Sequence, residues 1–219
     1  YVHAAGSEKL RIALIGCGGR GTGAAGDCLM HNDNVELVAM GDLLKDRLET
    51  SRNNLRGPLG DKFQVKDDTC FIGLDAYKKV LASDVDLVIL ATPPALHPVY
   101  HIRASNASKH VISEKPRATT ADDCQAMIDA CKAANRKLSL GYRLHFDPYF
   151  KELIRLRQQK DFGALLKMTG DRGFVFGRRA WRTDKILAGG GPMMDLGIYL
   201  VQAACAATGA PPVAVTARE

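Results

Sequence analysis

Hydrophobic positions in the first two thirds of the chain fall into short, nearly unbroken runs. They are Leu10 to Ile15 (LRIALI), Val35 to Met40 (VELVAM), Val85 to Ala91 (VDLVILA), His110 to Ser113 and Leu138 to Tyr142. Apolar runs of this length read as strands covered on both faces, the mark of a parallel sheet. Mixed-character stretches between them carry helical spacing at Thr22 to Met30, Leu48 to Leu55, Asp75 to Leu81 and Ala121 to Ala134. Gly57-Pro58 is expected to stop the second of these, because proline cannot continue the hydrogen-bond ladder. The acids Asp122 and Asp123 open the last, where they complement the helix dipole. Phe63 to Val65 supplies a third short strand. Alternation of this kind predicts an α/β domain, a doubly wound parallel sheet of the Rossmann type, over residues 1–142.

Beyond residue 142 the rhythm changes. Pro148 to Gln159 is a helix rich in Arg and Lys, and Leu165 to Phe176 alternates like a half-buried strand. Gly189-Gly190-Gly191-Pro192 breaks the chain and places a proline at a helix start. The VAVTA stretch at 213–217 reads as a strand. The pattern predicts a second, α+β substrate domain of mixed sheet over residues 143–219.

Composition narrows the classes without changing this outline. With 46% hydrophobic and 25% charged residues, the 219-residue chain has enough apolar side chains for a real core. A formal net charge of +6 invites a nucleic-acid reading, but the basic residues are interspersed with acids and no aromatic-studded basic surface occurs. No nucleic acid is expected as a partner. No apolar run approaches the roughly 20 residues that span a bilayer, so no membrane is expected either. None of the six cysteines forms C-x-x-C; most lie in apolar or helical patterns, and buried free thiols are expected rather than disulfides or metal ligands.

The candidate chemistry begins at the first strand. Gly16, Gly18 and Gly21 form G-x-G-x-x-G between a strand and a helix. Gly16 permits the turn, Gly18 the approach of a pyrophosphate, and Gly21 the close packing of helix on strand, with Cys17, Gly19 and Arg20 completing the loop. The anion would rest on N–H groups at the helix start. Asp42 follows Gly21 by 21 residues at the end of the second strand, where a carboxylate accepts from ribose hydroxyls and repels a 2′-phosphate. That favours NAD as cofactor and leaves NADP open, since Lys45 and Arg47 lie nearby; a solvated helix face is their default reading. The run VDLVILA ends in Thr92-Pro93-Pro94, at the strand edge where open α/β sheets bind ligands. Thr92, Pro93 and His97 are therefore cofactor candidates, although a lone histidine is more often structural. Glu114-Lys115-Pro116 follows the next strand in the same way, and Arg143 follows the last one. Asp195 and Tyr199 stand four apart after the triple glycine, on one face of a helix.

Taken together, GCGGRG, ATPPALH, EKP at 114–116 and GGGPMMDLGIY at 189–199 resemble the glucose–fructose oxidoreductase, inositol dehydrogenase and rhizopine-catabolism (Gfo/Idh/MocA) family. The likeness runs from Leu10 onward. It implies hydride transfer between a nicotinamide cofactor and a sugar, polyol or sugar derivative, in a homo-oligomer, dimer or tetramer, built through the second domain's sheet. It places Lys115, Asp195 and Tyr199 around the reacting carbon, and Glu114, Lys115, Trp181 and Arg182 over the cofactor. Tyr199 stands where a histidine is commoner, and the tyrosine resembles that of glucose–fructose oxidoreductase itself. Neither a phenol nor an ammonium is a base at neutral pH unaided. The expected arrangement has Tyr199 exchanging the proton, Lys115 binding the hydroxyl and favouring phenolate, and Asp195 orienting both. An NAD-dependent glycosidase or lyase using transient redox, or a nucleotide-binding module without turnover, would share the fold. The family's second domain is longer than the residues left here, so the chain is expected to be a fragment. Its YVHAAGS start resembles the segment after an export leader, leaving a periplasmic and a cytoplasmic location both open.

Overall fold

A computed structural model describes residues 9–173, 175 and 181–216 and divides into two compact units, Tyr1–Gly141 and Tyr142–Glu219. The first unit is a six-stranded sheet in which every pairing is parallel. Its strands are β1 (Leu10–Ile15), β2 (Val35–Asp42), β3 (Cys70–Ile72), β4 (Leu87–Leu90), β5 (His110–Glu114) and β6 (Leu138–Gly141), in the spatial order β3-β2-β1-β4-β5-β6. The order reverses between β1 and β4, so the crevice at their carboxyl ends is the ligand position that this topology creates.

Side chains of β1 alternate between the two faces and seed a core on each. Ile12 and Leu14 pack with Leu29 of α1 (Gly19–Met30) and with Leu48 and Leu55 of α2 (Lys45–Leu59). Ala13 and Ile15 pack with Val80 of α3 (Ala76–Ala82) and Ala104 of α4 (His97–Asn106). The charge inside β1, Arg11, is answered at once: its guanidinium takes both carboxylate oxygens of Asp86, each at 3.1 Å. Helix α5 (Ala121–Ala133) is capped by Thr120, whose Oγ1 accepts from the Asp123 N–H at 3.1 Å.

Two expectations in this unit fail for identifiable reasons. Phe63 to Val65 is not the third strand; Phe63 makes a single bridge to Leu37, and β3 forms instead at Cys70–Ile72 beside Met40 to Asp42. Nor does Gly57-Pro58 stop α2, which runs on through Pro58 to Leu59. The stop comes at Gly60, where φ is +51°. One more residue buries Leu59 in the core, which outweighs the donor lost at Pro58.

The second unit is helical among its described residues. Helix α6 (Pro148–Gln159) starts under Asp147, whose carboxylate accepts from the N–H groups of Tyr149 and Phe150. A short α7 (Lys185–Ala188) is capped by Asp184, and α8 (Ile198–Thr208) ends at Gly209. The strand expected over Leu165 to Phe176 is absent at residues 165–173 and 175, where Leu165, Leu166 and Val175 are exposed; Phe176 lies outside the described residues. Residues 213–216 of the expected VAVTA strand likewise form no strand, and residue 217 lies outside the described residues. Among the described residues of this unit there is no strand to pair with, and a strand without a partner has no ladder to hold it. The same residues hold no helix long and apolar enough to cross a membrane.

Candidate active site

The glycine turn is built for close approach. Gly16 has φ +93°, and a Cβ there would lie 2.7 Å from the carbonyl of Ala91. A Cβ on Gly21 would collide with the Gly16 carbonyl oxygen. Helix α1 begins directly behind the turn with Gly18 as its cap and no side chain bonded to its first turn, which leaves N–H groups available to an anion. A cavity of about 440 Å³ opens between Cys17–Gly19 and the start of α2, with Arg47, Thr50, Ser51 and Asn54 on its far wall. The Arg47 guanidinium reaches the turn, since a Cβ on Gly18 would come within 3.3 Å of its Nη1. This cradle and its bare helix start fit the pyrophosphate and ribose of a dinucleotide.

Asp42, expected to face a ribose, is engaged by the turn itself. Its Oδ2 accepts from the Cys17 N–H at 2.6 Å and its Oδ1 from the Leu44 N–H at 2.9 Å. The carboxylate thereby sews the end of β2 to the glycine turn. Cys17 meets Asp42 through its backbone N–H; its thiol is buried against the Gly41 carbonyl, and burial pushes it far above the ordinary cysteine value. All six cysteines are free thiols. Sequence reasoning missed Thr50, Ser51 and Asn54 on the cavity wall, and Leu43, Leu44, Ile72 and Leu74, which stand exposed at the adjoining ends of β2 and β3. The exposure of these four aliphatic side chains is set by the fold and has no signal in the sequence.

The residues after β4 and β5 meet at the same edge. Thr92 presses on Gly16, and its buried hydroxyl has no partner among the described residues. Pro93 caps the single turn Pro94–Leu96 that leads into α4. His97 is turned inward and almost fully buried, so it meets no ligand directly: Nε2 lies 2.8 Å from the Thr92 carbonyl, and Nδ1 lies 3.0 Å and 3.2 Å from those of Pro116 and Arg117. Burial holds its basicity below the ordinary histidine value, against the pull of those carbonyls. Glu114 is also turned in, where its Oε1 pairs with Arg20 Nη2 at 2.6 Å and packs on Gly141. Arg20 and Glu114 thus lock the helix start to the end of β5. Lys115 follows, half-buried, through a cis peptide to Pro116.

The other candidates lie in the second unit. Asp195 sits in a wide π turn, Met193–Gly197, a form frequent at functional sites. Its Oδ2 accepts from Arg182 Nε at 2.7 Å, and the Arg182 guanidinium lies 4.4 Å over the Trp181 ring. Tyr199, at the start of α8, is buried between two groups: the Tyr142 ring stacks on it at 5.4 Å, and the Arg172 guanidinium lies 4.3 Å over its face. The buried Tyr142 hydroxyl has no partner among the described residues, and burial pushes its pKa above the ordinary tyrosine value. Tyr142, Arg172 and the Arg182–Asp195 pair were not foreseen as a group. Arg143 opens the turn Arg143–Phe146 and joins neither set.

A parallel sheet with a glycine cradle at its switch point defines a dinucleotide-binding Rossmann unit. Residues 10–142 match the oxidoreductase family with an NAD-binding Rossmann fold, and residues 150–219 match the GFO/IDH/MocA C-terminal domain; the chain belongs to this family. It is 30% identical to inositol 2-dehydrogenase 4 of Saccharopolyspora erythraea over 74% of this chain and 45% of that protein. It is 28% identical to D-glucoside 3-dehydrogenase of Escherichia coli over 94% and 56%. Among solved structures, aldose-aldose oxidoreductase from Caulobacter crescentus, complexed with glycerol, superposes with a TM-score of 0.78 at 34% identity, over 94% of this chain and 59% of that one. The chain spans about half the length of the curated relatives it matches.

Proposed function

We propose that the protein containing this chain transfers a hydride between a nicotinamide dinucleotide and a sugar, polyol or sugar derivative. The observation that carries this reading is the pairing, in one chain, of the glycine cradle with a half-buried Asp195–Arg182 pair one helical turn from a buried tyrosine. Gly16, Gly18 and Gly21 would admit the pyrophosphate, the start of α1 would hold its charge, and Asp42 would take the ribose while keeping the turn in place. A bound dinucleotide supplies the hydride acceptor. Lys115 donates to the substrate hydroxyl, Tyr199 exchanges its proton, and Asp195, steadied by Arg182, orients the two. Trp181 and Thr92 lie along the cofactor in this reading.

The test is a screen of polyols and aldoses with NAD and with NADP, following reduced nicotinamide. Lys115→Ala and Tyr199→Phe are each expected to lower kcat/KM by about a hundredfold, the usual worth of a positioned acid or base. Turnover within about threefold of wild type in both variants would discard the assignment. Release of an aglycone from a chromogenic glycoside without net reduced cofactor would move the protein to the glycosidase class. We further propose a homo-oligomer through the second unit; light scattering that gives a monomer at working concentration refutes it.

A further inference from the structure

We propose that His97 is a positioning residue that sets the backbone on which Lys115 is carried, an inference that rests on the reading of Lys115 given above. The ladder between β4 and β5 ends at Leu90 paired with Ser113. Past that pair the two strands part from each other, one running toward Thr92 and the other, after Glu114 pairs with Gly141 of β6, toward Lys115. His97 takes over the join. One imidazole faces the carbonyl of Thr92 with Nε2, at 2.8 Å, and the carbonyls of Pro116 and Arg117 with Nδ1, at 3.0 and 3.2 Å. Its ring is 1% exposed, although a leucine would fill the same space without placing a polar group inside.

Both flanks of Lys115 are thereby fastened. On the near side Glu114 is held by Arg20 at 2.6 Å, and on the far side Pro116 and Arg117 are held by His97. Thr92 is itself braced on Gly16, so the histidine ties the lysine segment to the glycine turn that would hold the dinucleotide. A neutral imidazole carries a single N–H, so in that form it donates to one side of the clamp and packs its other nitrogen against the opposite carbonyl. Asparagine presents an amide near the place of Nδ1, and glutamine near that of Nε2. These two substitutions separate the sides.

The experiment uses the full-length protein with His97→Asn, His97→Gln and His97→Leu. It reads backbone hydrogen exchange at residues 92–97 and 114–118, the dissociation constant for reduced dinucleotide, and kcat and KM for a sugar that the wild type turns over. The expected result for His97→Leu is faster exchange in both segments with β1 and β4 still protected. Its kcat should fall about tenfold or more, the cost of an ångström-scale misplacement, while sugar KM and dinucleotide affinity stay within about threefold. One of the two amide variants should recover both the protection and kcat. Unchanged exchange, unchanged kcat, or recovery by neither amide overturns the proposal. If His97→Leu does not fold, the amide pair decides: unequal kcat at equal melting temperature supports the clamp, and equal kcat refutes it. A wild type that turns over no sugar removes the reading of Lys115, while the exchange data still decide the clamp.

Discussion

His101, one turn along α4 from His97, is fully buried with Nε2 3.2 Å from the Cys131 thiol, which also lies 3.2 Å from the Ser105 hydroxyl. Burial, Arg117 and His97 together push its pKa down to about 4. In the unfolded chain the ring takes up a proton below about pH 6.5, so folding is opposed in acid. Its contribution is therefore complete above pH 6.5 and is lost as the pH falls toward 4. Urea unfolding at pH 7 and pH 4.5 should show the wild type losing about 2 to 3 kcal/mol more than His101→Gln over that interval. Parallel losses would show that His101 does not govern acid stability. At the same scale, the glycine turn and Asp42 were legible because steric and hydrogen-bond demands leave few residue choices there. The partners of Asp42 were not, since nothing in its spacing says that Cys17 and Leu44 donate to the same carboxylate. His97 was legible as a residue near the site and illegible as a clamp, because its three carbonyl partners are 5, 19 and 20 residues away.

Elements buried on both faces announced themselves. β1, β2, β4 and β5 were readable from apolar runs alone, since a parallel strand under two helix layers has no polar face to disguise it; β6, at the sheet edge, was readable although it is only partly buried. β3 was not, because three residues at the sheet edge, Cys70–Ile72, carry too little pattern, and Phe63 to Val65 looked better by propensity. Leu165 to Phe176 shows the opposite failure, in which alternation is present in sequence but the described residues offer no pairing partner. α2 is the element on which one face of the first core depends, through Leu48 and Leu55. Each is less than 4% exposed. Leu48→Ala and Leu55→Ala should each cost about 2 to 5 kcal/mol, the range for a buried leucine cut back in a closed core. Losses below about 1 kcal/mol, measured by chemical unfolding, would mean that α2 packs loosely. A loose α2 would also spoil the cavity, since Arg47, Thr50, Ser51 and Asn54 ride on the same helix.

At the scale of the molecule, the roles are divided by unit. Every group that builds the cradle, from Gly16 to Thr92, Arg47 and Asp42, lies in the first unit, which has its own sheet and a core on each face of it. Asp195 and Tyr199 belong to the second. On the proposed function, dinucleotide binding and sugar turnover are therefore separable properties. Residues 9–141 prepared alone should bind reduced dinucleotide with an affinity within about tenfold of the full-length protein. At a hundred times the dissociation constant the ligand should add about 2.7 kcal/mol to their unfolding free energy, as mass action requires of a ligand that binds only the folded state. Gly21→Ala should abolish that stabilisation, because the added methyl meets the Gly16 carbonyl. Sugar oxidation should be absent from the isolated unit, for it lacks both the carboxylate and the phenol assigned to the reacting carbon. Circular dichroism first shows whether the fragment folds. A folded fragment that ignores the dinucleotide would mean that the cradle is completed by the second unit, and one that oxidises sugars would remove Asp195 and Tyr199 from the chemistry.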